Sequence, residues 1–390
     1  MRTAVWLYLF IFIAFFDLHA QYPILTPFAV SLGAVPSFIG LIMGVYSITH
    51  LPGNMLAGIG VDRFGSKKFI VWSLIGAGIL LLIQSQVTNP WQLLAVRSVS
   101  GFVLAFLSPA CMSLLAKMAR DRVHQGKLMA GNGLIHTLAS VVSPAAGAML
   151  VAKVGFTNAF LLLGLVLIGT AFIAIFWIRD IPASSIDKSL LVADGHALPD
   201  DSAAPANSGS ARIPWLFYVV PLGISCSQGI LFFELPLMES AQKSIMTSGI
   251  LFSVVSLGSL VTLSMLFINR YSSYLRTMVG SCVLALAFFG MAIEWPIGIT
   301  ASLFIIGMAK GIIFPAMSTL LVTLTDISRY GRVFSILSIS FSIGAFIGPL
   351  LAGHLRDYVS PYYIAFVVLM IALAMLPPTK NNMTSPVHQG

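Results

Sequence analysis

Seven polar side chains stand where the chain is otherwise almost wholly apolar: Asp17, Gln21, Arg97, His136, Gln228, Glu234 and Lys310. Asp17 and Gln21 are four residues apart and so share one face of a helix, with His19 between them. A carboxylate surrounded by hydrocarbon can take up and release a proton. An ammonium or guanidinium there needs a carboxylate, a carbonyl or an anionic guest. With both signs present, the set suits a zwitterionic or anionic polar molecule, unless the charges pair with one another. His50 and Asn54 flank Pro52-Gly53, where a kink is expected and the two side chains would cap the freed backbone groups. The sequence has no G-x-x-x-x-G-K-[ST] loop, no H-E-x-x-H and no G-x-S-x-G. Cys111, Cys226 and Cys282 all sit inside apolar runs, which argues against a disulfide framework or a zinc site. No catalytic residue, metal or cofactor is therefore expected.

The elements that hold these side chains must be membrane spans. The chain has 390 residues, 58% hydrophobic and 9% charged, with mean hydropathy +0.95. Soluble domains run near 45–50% apolar and about 25% charged, so a soluble enzyme and a nucleic-acid binder are excluded. Crossing about 30 Å of hydrocarbon takes about 20 apolar residues. Twelve such runs fall near 4–30, 36–60, 68–87, 90–117, 127–151, 156–178, 214–237, 246–268, 275–294, 297–324, 332–354 and 361–377. The first lacks a small-residue cleavage site and runs on past Asp17, so it is read as a retained span. With the N-terminus in the cytoplasm, sixteen of the 21 Lys and Arg lie on the inner side. Lys153, Lys243 and Arg356 lie outside, and Arg97 and Lys310 within spans. That bias supports an even number of spans with both termini cytoplasmic, and it accounts for the net charge of +8 without a polyanionic partner.

Residues 182–213 break the pattern with a stretch rich in Ser, Ala, Pro, Asp and Gly, read as a flexible cytoplasmic linker. It divides a six-helix bundle over 1–181 from a second over 214–378, followed by a cytoplasmic tail at 379–390. The bundles repeat at an offset near 206. Asp62-Arg63 matches Asn269-Arg270, Gln21 matches Gln228, Gly101 and Pro109 match Gly307 and Pro315, and Ser143-Pro144 matches Gly348-Pro349. Parallel repeats about an axis along the membrane normal place a substrate path between the halves.

The loop between spans two and three reads Gly58-Ile59-Gly60-Val61-Asp62-Arg63-Phe64-Gly65-Ser66-Lys67-Lys68. It resembles the hallmark cytoplasmic loop of the major facilitator superfamily. Twelve spans, a central linker and the half repeat extend that resemblance over nearly the whole chain. Ser66 departs from the usual basic residue, and the second copy is degraded, with Asn269 in place of the acid and Ser272 in place of the glycine. In the family the loop latches the cytoplasmic side in the outward-open state, which would give Gly58, Asp62, Arg63, Gly65 and Lys67 a gating role here. Arg97-x-x-x-Gly101 resembles the fourth-helix motif, whose arginine is implicated in proton transfer. Ala139-x-x-x-Ser143-Pro144-x-x-Gly147 looks like a weakened fifth-helix antiporter motif. Its copy in span eleven, Gly344-x-x-x-Gly348-Pro349, is closer to the consensus. Small residues there let helices approach, and proline bends them.

The resemblance implies an all-α membrane protein of two six-helix bundles related by pseudo-two-fold symmetry, working by alternating access. Proton-coupled efflux of a small organic molecule is the expected activity, with proton-coupled uptake of an organic anion, sugar or other small metabolite as the alternative. A membrane-embedded enzyme or receptor lacks support. The expected partners are a small-molecule substrate, protons and the lipid of the cytoplasmic (inner) membrane, with the chain acting as a monomer. Asp17, the only carboxylate near the midplane of the first half, is the expected proton carrier.

Overall fold

The computed structural model describes residues 2–118, 122–178, 215–238, 244–323 and 330–376. Nearly all of them are helical: α1 Arg2–Ala20, α2 Tyr22–Ser31, α3 Pro36–Phe64, α4 Ser66–Gln84, α5 Pro90–Leu104, α6 Leu107–Lys117, α7 Arg122–Trp177, α8 Val219–Glu234, α9 Ile245–Ser264, α10 Ser273–Ala292, α11 Ile299–Thr323, α12 Tyr330–Leu355 and α13 Pro361–Ala374. The stretches read as linker (182–213) and tail (379–390) lie outside the described residues.

Thirteen helices make twelve spans, and the differences have local causes. The first span is bent by 41° between α1 and α2. Pro23 and Pro27 lack the N–H that would continue the ladder, so the helix restarts at Gln21 instead of running straight from 4 to 30. The fourth span breaks between α5 and α6 in the same way, because Pro109 cannot donate to the carbonyl of Ala105. Conversely, α7 holds spans five and six. Gly155, at φ 80° and ψ 171°, turns the chain between them in a conformation that a side chain would oppose. Length and hydropathy alone qualify eight helices, or nine with the bent first pair joined. That count takes the stretch Ala130–Trp177 once. It omits α3, which carries Thr49, His50 and Asn54, and the 14-residue α13.

The buried core runs through both halves, with Leu7, Phe10, Phe28 and Phe160 in the first and Phe217, Phe233 and Phe288 in the second. The outer surface is the reverse of a soluble protein's: Trp72, Val166, Phe172, Leu286 and Ile371 are exposed, as side chains facing lipid should be. The repeat has matching crossings. Gly101 brings α5 onto the Tyr46 carbonyl of α3, and Gly307 brings α11 onto the Val255 carbonyl of α9. Gly147 packs α7 on the end of α1 at Ala20, and Gly344 and Gly348 pack α12 on Leu222 and Cys226 of α8.

Two crossings join the halves. Gly40 and Gly44 of α3 meet Pro349 and Phe346 of α12, while Gly353 of α12 meets Pro36. Gly249 of α9 meets Pro144 and Ala148 of α7. All of these contacts lie toward the membrane face opposite the basic loop of Arg63, Lys67 and Lys68, since α3 and α9 start there and α7 and α12 approach it. Among the described residues the halves are therefore joined by glycine crossings on that far face, and by none on the basic face.

Candidate functional site

Two adjoining cavities of about 480 and 370 Å³ occupy the space between the halves. Both are bordered by Tyr22, Gln228, Phe232 and Phe314. Tyr22 of the first half and Phe232 of the second stack at 4.4 Å between ring centroids and 34° between planes, and Phe252 packs on both. The larger cavity reaches Leu263 and Ser318, near the ends of α9 and α11, so it opens toward the basic face.

Gln21 sits at the bend between α1 and α2 and is the centre of a buried relay. The Arg97 guanidinium donates through Nη1 to Gln21 Oε1 at 3.0 Å. Gln21 Nε2 donates to Asp17 Oδ2, also at 3.0 Å, across one helical turn. The guanidinium lies 4.7 Å from the centre of the Tyr46 ring, a cation–π geometry. Arg97 points inward from α5 rather than out to the lipid headgroups, and is only 6% exposed. Gln21, Tyr46, His50 and Arg97 line the smaller cavity; Asp17 lines neither cavity. Its Oδ1 is buried without a hydrogen-bond partner among the described residues. The first-half acid therefore reaches the cavity through an amide and an arginine, and the two opposite charges are bridged rather than in contact.

Lys310, His19 and His136 line the larger cavity together. Gly307 and Gly311 lie on one face of α11, close against the backbone of α9. Lys310, about 60° round the helix from Gly307 and about 100° from Gly311, borders that packed face on the side of the cavity. Its Nζ stands 5.6 Å from the centre of the Phe232 ring. His19 donates from Nδ1 to the Phe15 carbonyl at 2.7 Å. His136 lies edge-on to Phe15 and 5.2 Å from the His19 ring. Gln228, on α8, borders both cavities.

Other expectations are redirected. Glu234, grouped with the pathway residues from sequence, lines neither cavity and forms an ion pair with Arg356 Nη2 at 3.0 Å, at the far face. Chain reversal brings residues 122 positions apart together there. His50 and Asn54 bond to each other (2.9 Å) instead of capping the backbone around Pro52. In the loop after α3, Gly65 takes φ 90° to turn directly into α4. Lys67 donates to the Ile175 carbonyl at 2.7 Å, and Arg63 is exposed over Phe64. Gly58 lies within α3, and the side chain of Asp62 lies outside the described residues. In α7 the Ser143 hydroxyl donates back to the Ala139 carbonyl. Tyr22, Tyr46 and Phe232, which shape the cavity, were missed from sequence. Their only signal was an aromatic ring within a turn of a polar intramembrane residue.

The chain matches the profile of the Major Facilitator Superfamily over residues 7–301 and 276–387. It is 21% identical to a protein of Lactococcus lactis named a multi-drug resistance efflux pump PmrA homolog, over 85% of this chain and 81% of that one. It is 25% identical to the multidrug resistance protein MdtG of Escherichia coli, over 79% and 76%. Its fold is similar to that of a bacterial homologue of the human lysosomal transporter Spinster in an inward-facing, occupied conformation. That likeness has a TM-score of 0.73 at 15% identity and covers 96% of this chain and 95% of the other. With a match that runs from residue 7 to residue 387, the chain belongs to the major facilitator superfamily.

Proposed function

We propose that this transporter exports a small organic molecule across the cytoplasmic membrane in exchange for protons, by alternating access. The observation that carries the reading is the cavity between the halves, open on the basic face and sealed on the other. By the excess of Lys and Arg the basic face is cytoplasmic, so the state described is loaded from inside. The names of the PmrA-like and MdtG relatives support export. Rocking the halves would part Gly40, Gly44 and Gly249 from their partners and close the basic face behind the cargo, with the Asp62 loop as the latch. Asp17 is the proton site in this reading, and Gln21 and Arg97 report its charge to the cavity. The chain works as a monomer. Compounds retained by a strain lacking the gene identify the cargo. Flux of that cargo in proteoliposomes with and without an imposed pH gradient then tests the reading: saturable export that ignores the gradient would refute the coupling.

One observation favours a second reading, proton-coupled uptake. Arg97, Lys310 and three histidines line the two cavities, and among the described residues no Asp or Glu does. A proton on such a wall attracts an anion instead of competing with it, and ligands that help each other bind travel in the same direction. Reversing the imposed pH gradient separates the readings: an exchanger accumulates cargo in the compartment with the higher proton concentration, a symporter in the compartment with the lower.

A further inference from the structure

We propose that Lys310, His136 and Gln228 form a subsite for the carboxylate or other anionic group of an aromatic organic acid, with Phe232, Tyr22 and Phe252 holding its ring. The proposal deepens the reading of this cavity as the cargo path and rests on it.

Lys310 needs a counter-charge or water. Among the described residues the wall of its cavity carries no Asp or Glu. Among the described residues the buried acids are Asp17 and Glu234, and each is committed: Asp17 to Gln21, and Glu234 to Arg356. Lys310 forms no ion pair among the described residues, and its ammonium stands over the face of Phe232. An ammonium in a low-dielectric cavity is costly unless water or an anion answers it.

The hydroxyls of the same wall sharpen the chemistry. Thr137 donates to the Gly133 carbonyl, Ser140 to Thr137, Ser259 to Gly307 and Ser318 to Phe314. Their hydrogens are spent on helix backbones, so they offer lone pairs to a guest, not donors. His19 likewise commits Nδ1–H to Phe15. Donors on that wall without a described hydrogen-bond partner are Lys310 on α11, the His136 imidazole on α7, the Gln228 amide on α8 and the hydroxyls of Tyr22 on α2 and Ser256 on α9. They come from five helices and both halves. One cation and four neutral donors describe a site for a compact anion. The ring beside Nζ, with Tyr22 and Phe252 packed around it, describes an apolar, flat body attached to that anion. A cavity of about 480 Å³ is large enough for a small drug-sized acid.

Three probes with one aromatic body and different charge test this: 2-naphthoate, 2-naphthamide and 2-naphthylmethylammonium, titrated calorimetrically into the purified full chain against a detergent blank. The carboxylate should bind at least tenfold tighter than the amide and the amine. Lys310→Gln should bring the carboxylate down to the affinity of the amide while leaving amide binding unchanged, which also shows that the variant is folded. His136→Gln should weaken the carboxylate two- to fivefold. Equal binding of the three probes, binding of none, or an unchanged carboxylate preference in Lys310→Gln would overturn the proposal. Flux of 2-naphthoate in proteoliposomes reports separately on the cargo path. Carboxylate-selective binding without flux leaves the subsite standing and sinks the reading of its cavity as that path. Flux of all three probes at one rate, unaffected by Lys310→Gln, does the reverse.

Discussion

The seal on the far face depends on Gly40 having no side chain. A Cβ at this position would fall on the carbonyl oxygen of Pro349 and within 2.9 Å of its carbonyl carbon and 3.3 Å of Leu350 Cα. All three are backbone atoms of a packed helix, so no flexible side chain can swing away. Relief requires α3 and α12 to part by roughly half an ångström to one ångström, and overpacking of this kind costs about 1–3 kcal/mol. The clash exists only while the far face is closed. In Gly40→Ala it should therefore destabilise that state alone and shift the balance of the two states about 5- to 150-fold toward the one open on the far face. Gly169→Ala is the control: this glycine is in α7 and nothing stands within 4 Å of its Cβ position. Spin labels at Val35 and Tyr358, both exposed on the far face, would report the population by electron–electron distance after Cys111, Cys226 and Cys282 are replaced by serine. Gly40→Ala should add a long-distance component absent from Gly169→Ala. An unchanged distance distribution, with a lowered Tm in its place, would show that this contact persists in both states and that the far face is not the gate.

Asp17→Asn should abolish gradient-driven accumulation and flatten its pH dependence while sparing some downhill exchange; vesicle flux with and without a pH gradient checks it, and unchanged accumulation would remove Asp17 from coupling. Arg97→Lys keeps the charge but loses the planar fork that meets Gln21 and Tyr46, so flux should fall at least tenfold; parental rates would show that charge alone suffices. Asp62→Asn should cut transport severalfold with normal membrane insertion, read by flux per inserted molecule on a blot. Glu234→Gln should lower stability by about 1–3 kcal/mol, the worth of a hydrogen bond to a charged group, without altering cargo affinity; a changed affinity would bring this acid back to the cargo path.

Much of this architecture is visible in one dimension because a bilayer imposes it. Spans are long apolar runs, the linker is where apolarity stops, and the repeat survives as glycines and prolines at a fixed offset. The positions of Asp17, Arg97 and Lys310 within those runs were equally plain. What the runs hid was orientation and partnership. Nothing local says that Gln21 would stand between Asp17 and Arg97, since that depends on where α5 lies against the bend at Pro23. Glu234 and Arg356 meet only through the packing of distant helices. The cavity position of Lys310 was hidden too, because it lies only about 60° from Gly307 and so borders the packed face of α11.

The stack of Tyr22 on Phe232 ties one half to the other through two rings at the boundary of the two cavities. Any rocking of the halves that separates these helices must unstack them, and the cost depends on what fills the gap. Water leaves two aromatic faces bare, whereas a flat cargo can lie between them and keep both covered. In the export reading, this aromatic pair would hold the empty carrier still, and an aromatic cargo lying between the rings would release it to move.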